Sequence, residues 1–135
     1  MQLSQFAKSY KSIAVTTAPP GQLILMLYDG ALRFMANAAA GFDETQFIRR
    51  NEVIHNNLVK VEHILQELQG ILDMGVEGGF PQRMYALYGF MLSQIRLANR
   101  AKQRDPIRVV ERLLGEIRDA WAKMLEQTAS ENRAA

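Results

Sequence analysis

The sequence predicts an all-α fold, an antiparallel up-down-up-down four-helix bundle preceded by an N-terminal arm or short helix. Apolar residues recur at alternating spacings of three and four along several segments, the periodicity of a buried helix face. Proline and glycine clusters separate four such segments, and no stretch alternates with the period of two that marks a strand. Short polar links between segments favour antiparallel neighbours.

The elements follow in chain order. Residues 1–18 form a polar arm, closed by Pro19-Pro20-Gly21. Proline fits the first turn of a helix, where its missing N–H has no partner to lose. The first predicted helix therefore spans 20–40 and stops at Gly41. Asp43 with Gln46 three residues later reads as a capping box for a second helix reaching about residue 72. That helix carries Ile54, Leu58, Val61, Leu65, Leu68 and Leu72 on one seam. The glycine-rich stretch 73–79 is a loop. Pro81 opens a third helix ending near Lys102, with Met84, Tyr88, Met91, Ile95 and Ala98 in register. Asp105-Pro106, an N-cap followed by a first-turn proline, opens a fourth. Its seam runs Ile107, Val110, Leu114, Ile117, Trp121 and Met124, ending near residue 127. The bundle thus occupies 19–127, and 128–135 is a flexible tail.

Composition narrows the function classes. The chain has 135 residues, 48% of them hydrophobic, enough for one domain that buries roughly two thirds of its unfolded surface. Sixteen basic residues against fourteen acidic ones leave a formal charge of +2, too small to mark a nucleic-acid patch. The basic run Arg96, Arg100, Lys102 and Arg104 surrounds a helix C-terminus, where cations offset the dipole, and lacks the interleaved aromatics of a base-stacking surface. Cysteine is absent, so thiol and disulfide chemistry are excluded. The N-terminus lacks the basic and apolar regions of a signal peptide, and the longest uninterrupted apolar run, Leu23 to Tyr28, is far shorter than a membrane span. A cytoplasmic protein without membrane insertion is the expectation.

No catalytic constellation stands out. The two histidines, His55 and His63, lie on one helix. Glu52 and His55 match the Glu-x-x-His spacing of di-iron bundles, but such a site needs a second copy and further glutamates. The apolar stretches of the first and third helices hold no glutamate, so no metal site is expected, nor any cofactor. Gly75, Gly78 and Gly79 lack the lysine and serine of a phosphate-binding loop. The expected role is to hold another protein.

The first and third helices carry more apolar surface than a bundle position requires. Between Leu23 and Ala36 only Asp29 and Arg33 are charged. Tight packing with the N-terminal arm, a homodimer face, and a groove for a partner's amphipathic helix all account for that excess. Met26, Met35, Met84 and Met91 suit an adaptable surface as well as an ordinary core. Gly30, Gly89 and Gly115 each cost about 1 kcal/mol relative to alanine inside a helix, the mark of a close backbone approach or of neutral surface drift.

Several words are specific in their order. Tyr10 stands in the arm, the first helix reads Pro20-Gly21-Gln22-Leu23-Ile24-Leu25-Met26-Leu27-Tyr28-Asp29-Gly30-Ala31, the third holds Leu87, Tyr88, Met91, Ala98 and Asn99, and the fourth holds Ala120-Trp121. From Tyr10 to Met124 the chain resembles the flagellin export chaperone family, FliS. It departs from the family pattern at Gly89, where an acidic residue is frequent, and at Ser93 and Gln94, where basic ones are. The resemblance implies a cytoplasmic chaperone that binds the disordered C-terminal segment of flagellin, prevents premature polymerisation and supports export during flagellum assembly. It also implies an arm displaced by the client, with Tyr10 and Ile13 as its anchors. Client contacts are expected at Leu23, Leu27, Tyr28, Asp29, Tyr88, Met91 and Asn99, although Tyr28 and Tyr88 fit a core role equally well and an i+4 pair with Arg33 is the simpler account of Asp29. Trp121 is expected in the core. Export-apparatus components or flagellar regulators are further partners compatible with the family, and the free protein is a candidate homodimer. The alternative is an unrelated helical adaptor or structural bundle whose apolar excess forms a homodimer.

Overall fold

The computed structural model describes residues 21–134. Tyr10, Ile13, Pro19, Pro20 and the rest of the arm lie outside the described residues, as does Ala135. Four helices are described: α1 (Gln22–Gly41), α2 (Phe47–Gly70), α3 (Phe80–Ala101) and α4 (Asp105–Ala134). Each packs on its chain neighbours, and α4 closes the ring against α1. The result is the expected four-helix bundle.

The seams read from the sequence are the core. Ile54, Leu58, Val61, Leu65 and Leu68 of α2 are fully buried, as are Tyr88, Met91, Ile95 and Ala98 of α3 and Ile107, Val110, Leu114 and Trp121 of α4. Helix α1 contributes Ile24, Tyr28, Ala31, Met35 and Ala38. By length and composition alone α1 could cross a membrane, but this stripe is part of the bundle core.

The helix ends differ from expectation at the start of α2 and the end of α4, whereas α3 ends at Lys102 as expected. Asp43 is not the cap of α2. The N–H groups of Phe42, Asp43 and Glu44 still bond carbonyls at the end of α1, so a new helix cannot start there. Gln46 takes the extended cap conformation instead, and its side chain accepts from the Arg49 N–H at 3.3 Å. Asp43 is thereby left to pair with Arg104 across the bundle end, 3.0 Å away. At the far end of α3, Lys102 adopts a left-handed conformation, φ 50°, normally the place of glycine. Its N–H closes the helix on the Ala98 carbonyl. Finally, α4 continues through the stretch read as a tail. Residues 126–131 hold neither glycine nor proline, so the helix runs on past Leu125 with its described side chains exposed.

Gly21 begins α1 at φ 74°, and its carbonyl accepts a 2.9 Å bond from the buried Trp121 Nε1–H. A side chain there would strike Leu125. That contact fixes the start of α1 against α4.

Candidate functional site

The apolar excess of α1 resolves into two faces. Ile24, Tyr28, Ala31 and Met35 turn inward. Leu23, Leu27, Gly30 and Phe34 follow one another at spacings of four, three and four, a single row along the helix surface. This row borders α2: the position of a Gly30 Cβ lies 3.5 Å from Ile64 Cδ1, and the Lys60 ammonium sits 5.0 Å above the Phe34 ring. Leu23 is 41% exposed, Met26 beside it 62%, and Leu27 and Phe34 are half-buried. Gly30 interrupts the row with no side chain and is itself buried, with Ile64 of α2 lying over it. On α3, Tyr85 and Phe90 are likewise nearly half exposed. These residues are among the large apolar side chains that the described bundle leaves exposed.

The expected site residues therefore divide. Leu23 and Leu27 lie on the outer row. Tyr28, Tyr88 and Met91 do not reach it: all three are fully buried, and the Tyr28 and Tyr88 hydroxyls bond one another at 2.8 Å. In the folded bundle these three are core residues. Asp29 is exposed but engaged, and its partner is Arg118 of α4, whose Nε donates at 2.7 Å, not Arg33. That bond raises the guanidinium pKa further above its ordinary value. Asn99 is half-buried at the α2–α3 seam, where its amide meets His55 Nδ1 at 3.0 Å and its carbonyl oxygen accepts from Lys102 Nζ at 2.5 Å.

Other seams are tied by charge. Arg96 of α3 pairs with Glu62 of α2. Arg104, in the link before α4, donates to the Ala39 carbonyl at 3.1 Å and to Asp43, with its guanidinium 5.4 Å over the Phe42 ring. Arg50 stacks on the same ring, 4.9 Å from its centre. Desolvation, then the nearby Arg50 charge, lowers the Lys102 pKa from its ordinary value. Glu52 and His55 are exposed on α2, and the described residues hold no group of three or more His, Asp or Glu placed to share a metal ion.

Two apolar residues were missed by sequence reasoning. Phe47 and Ile48 open α2 and are 71% and 67% exposed. Phe47 stands seven residues ahead of Ile54 on the buried seam, so spacing alone predicts it inside. The usable signal was position: a first-turn residue at the bundle end lacks the neighbours that cover later turns. The helix glycines make no close backbone contact. An added Cβ at Gly30 or Gly89 would meet only side-chain atoms, at 3.5 and 3.6 Å, and at Gly115 nothing within 4 Å.

Comparison with known proteins bears on what such a surface is for. A family model described as Flagellar protein FliS matches residues 2–128. The chain is 34% identical over 118 residues to the Flagellar secretion chaperone FliS of Bacillus subtilis (strain 168), covering 87% of this chain and 84% of that relative. It is 26% identical over 122 residues to the protein of the same name from Salmonella typhimurium, covering 90% and 88%. The Escherichia coli (strain K12) counterpart is 28% identical over 113 residues, covering 83% and 80%.

Proposed function

The chain belongs to the FliS family of flagellar proteins, and from that premise we propose that it is a cytoplasmic chaperone for flagellin, holding the C-terminal segment of that protein before export. The observation that carries the reading is the family match over residues 2–128. The named relatives are flagellar secretion chaperones, which supports binding, not catalysis, as the activity. The uncovered row Leu23, Met26, Leu27 and Phe34 supplies a surface of suitable chemistry.

The physical demand on such a chaperone is specific. A disordered client must be ordered on capture, and that loss of entropy needs a large apolar contact to offset it. An amphipathic client segment would lay apolar anchors at i, i+3 and i+4 along the α1–α2 seam. The exposed Leu23 and Met26 and the half-buried Leu27 and Phe34 would receive such anchors. Capture would also shield client segments that otherwise polymerise before export.

Calorimetric titration of the full chain with the C-terminal segment of the cognate flagellin tests the reading. Micromolar or tighter binding with a negative heat-capacity change is the expected result. Met26→Glu, on an exposed position, should weaken binding while leaving the thermal unfolding midpoint unchanged. Absence of binding at micromolar concentrations of folded protein would overturn the chaperone reading.

A further inference from the structure

The seam between α1 and α2 keeps a regular register. Gly41 stands against Val53, Phe34 against Lys60 and Gly30 against Ile64, so each step along α1 is matched by an equal step back along α2. One turn beyond Ile64, Glu67 lies on the same face of α2 and comes opposite Leu27. The apolar row is therefore bordered by charges of opposite sign, Glu67 towards one end and Lys60 towards the other.

Two cations stand at the Phe34 end. The Arg33 guanidinium lies 5.1 Å from the centre of the Phe34 ring and the Lys60 ammonium 5.0 Å. Both side chains are exposed. Among the described residues neither makes an ion pair, and the acids nearest in sequence are engaged elsewhere. Asp29, one turn before Arg33, is held by Arg118, and Glu62, two positions after Lys60, by Arg96. The ring attracts both cations through its negative face without neutralising them. One end of the row thus presents two uncompensated positive charges beside an apolar surface.

We propose, on the premise of the client reading above, that this seam selects its client by charge as well as by apolarity. The captured segment seats apolar side chains on Leu23, Met26 and Leu27 and sets a carboxylate on Arg33 and Lys60. That carboxylate lies about 10 Å beyond Leu27, which is about seven residues of a client helix. Apolar contact supplies the affinity, and the cation pair supplies direction and choice. Glu67 repels a carboxylate placed beside Leu27, so an acidic segment has one way round. A segment with a basic residue in place of the carboxylate is rejected.

The test is calorimetric titration of the full chain with two forms of the C-terminal segment of the cognate flagellin, one unaltered and one carrying amides in place of its carboxylates. Amide replacement should weaken binding by about fivefold or more at low salt, and high salt should erase that difference. In a chain carrying both Arg33→Gln and Lys60→Gln, the two segments should bind within about twofold of each other. A chain carrying Arg33→Lys and Lys60→Arg keeps both charges and should discriminate as the unaltered chain does. Equal losses on amide replacement in the unaltered and glutamine-bearing chains, or no loss in either, would overturn this proposal alone and leave flagellin capture standing. Failure of the unaltered segment to bind the unaltered chain would overturn the client reading and this proposal with it.

Discussion

The hydroxyls of Tyr28 and Tyr88 meet 2.8 Å apart across the diagonal of the bundle. Helices α1 and α3 are not chain neighbours, and each packs chiefly on α2 and α4. The tyrosine pair joins them through the middle of the core, and both rings are fully buried. This directional bond constrains the rotation of α1, because turning the helix by one residue would carry the hydroxyl away from its partner. The same rotation holds Leu23, Met26 and Leu27 outward.

Removing this bond should therefore cost stability in a coupled way. Tyr28→Phe and Tyr88→Phe are each expected to lose about 0.5–1.5 kcal/mol in denaturant unfolding. The double variant should lose less than the sum, with a coupling energy of at least about 0.5 kcal/mol. Strict additivity would show that the hydroxyls lie close without contributing to stability through one another.

Glycine positions in the helices separate into free and constrained ones. Gly115→Ala adds a methyl group to open space and is expected to stabilise by about 1 kcal/mol, raising the melting temperature by about 4 °C. Gly41→Ala places a Cβ 2.8 Å from Val53 Cγ1 and 3.3 Å from Ile54 Cγ1, where α1 ends against α2. Overpacking there should outweigh the helix-propensity gain and cost about 1–3 kcal/mol. Calorimetric melting of the two variants side by side checks both signs.

Arg104 binds the two links at one end of the bundle with three different interactions. Its Nη2 reaches Ala39 and Asp43, and its planar face covers Phe42. Lysine keeps the charge but cannot reproduce the fork and the stacking together. Arg104→Lys should therefore cost about 1–2 kcal/mol. Asp43→Asn should cost less than about 1 kcal/mol, because Asp43 is mostly exposed. Equal losses would assign the whole effect to the ion pair.

These interactions show which parts of the molecule spacing reveals. The stripes of α2 and α4 were legible because polar residues mark the opposite face, so Leu58 or Leu114 admits one orientation only. Helix α1 is apolar nearly all round, and such a helix does not declare which side turns inward. Tyr28 and Leu27 were thus indistinguishable in sequence, yet one is core and the other surface. Partners distant in the chain were equally hidden. Arg33 is the local candidate for Asp29, but Arg118, 89 positions away, takes it once α4 packs on α1. The cap of α2 was hidden for a local reason: the backbone of residues 42–44 still bonds the end of α1, which moves the cap from Asp43 to Gln46.

Glu111 gives the fold a pH dependence whose sign can be worked out. It is half-buried on α4, and desolvation raises its pKa above the ordinary 4.5, with the nearby Arg108 opposing. Between the unfolded value and the raised folded value, the native state binds more protons than the unfolded chain. This residue's contribution to stability therefore falls as pH rises through that window, and the cost of its buried charge is fully present above the folded pKa. Glutamine keeps the shape and removes the charge. Glu111→Gln should raise the melting temperature at neutral pH, and the gain should fade with acidification and vanish well below pH 4.5, where Glu111 is uncharged in both the folded and the unfolded chain. Thermal melts of the two proteins across that range measure the difference directly. A gain that persists undiminished in acid would mean that packing, not the charge, separates them, and a loss at neutral pH would mean that the Arg108 attraction outweighs the desolvation.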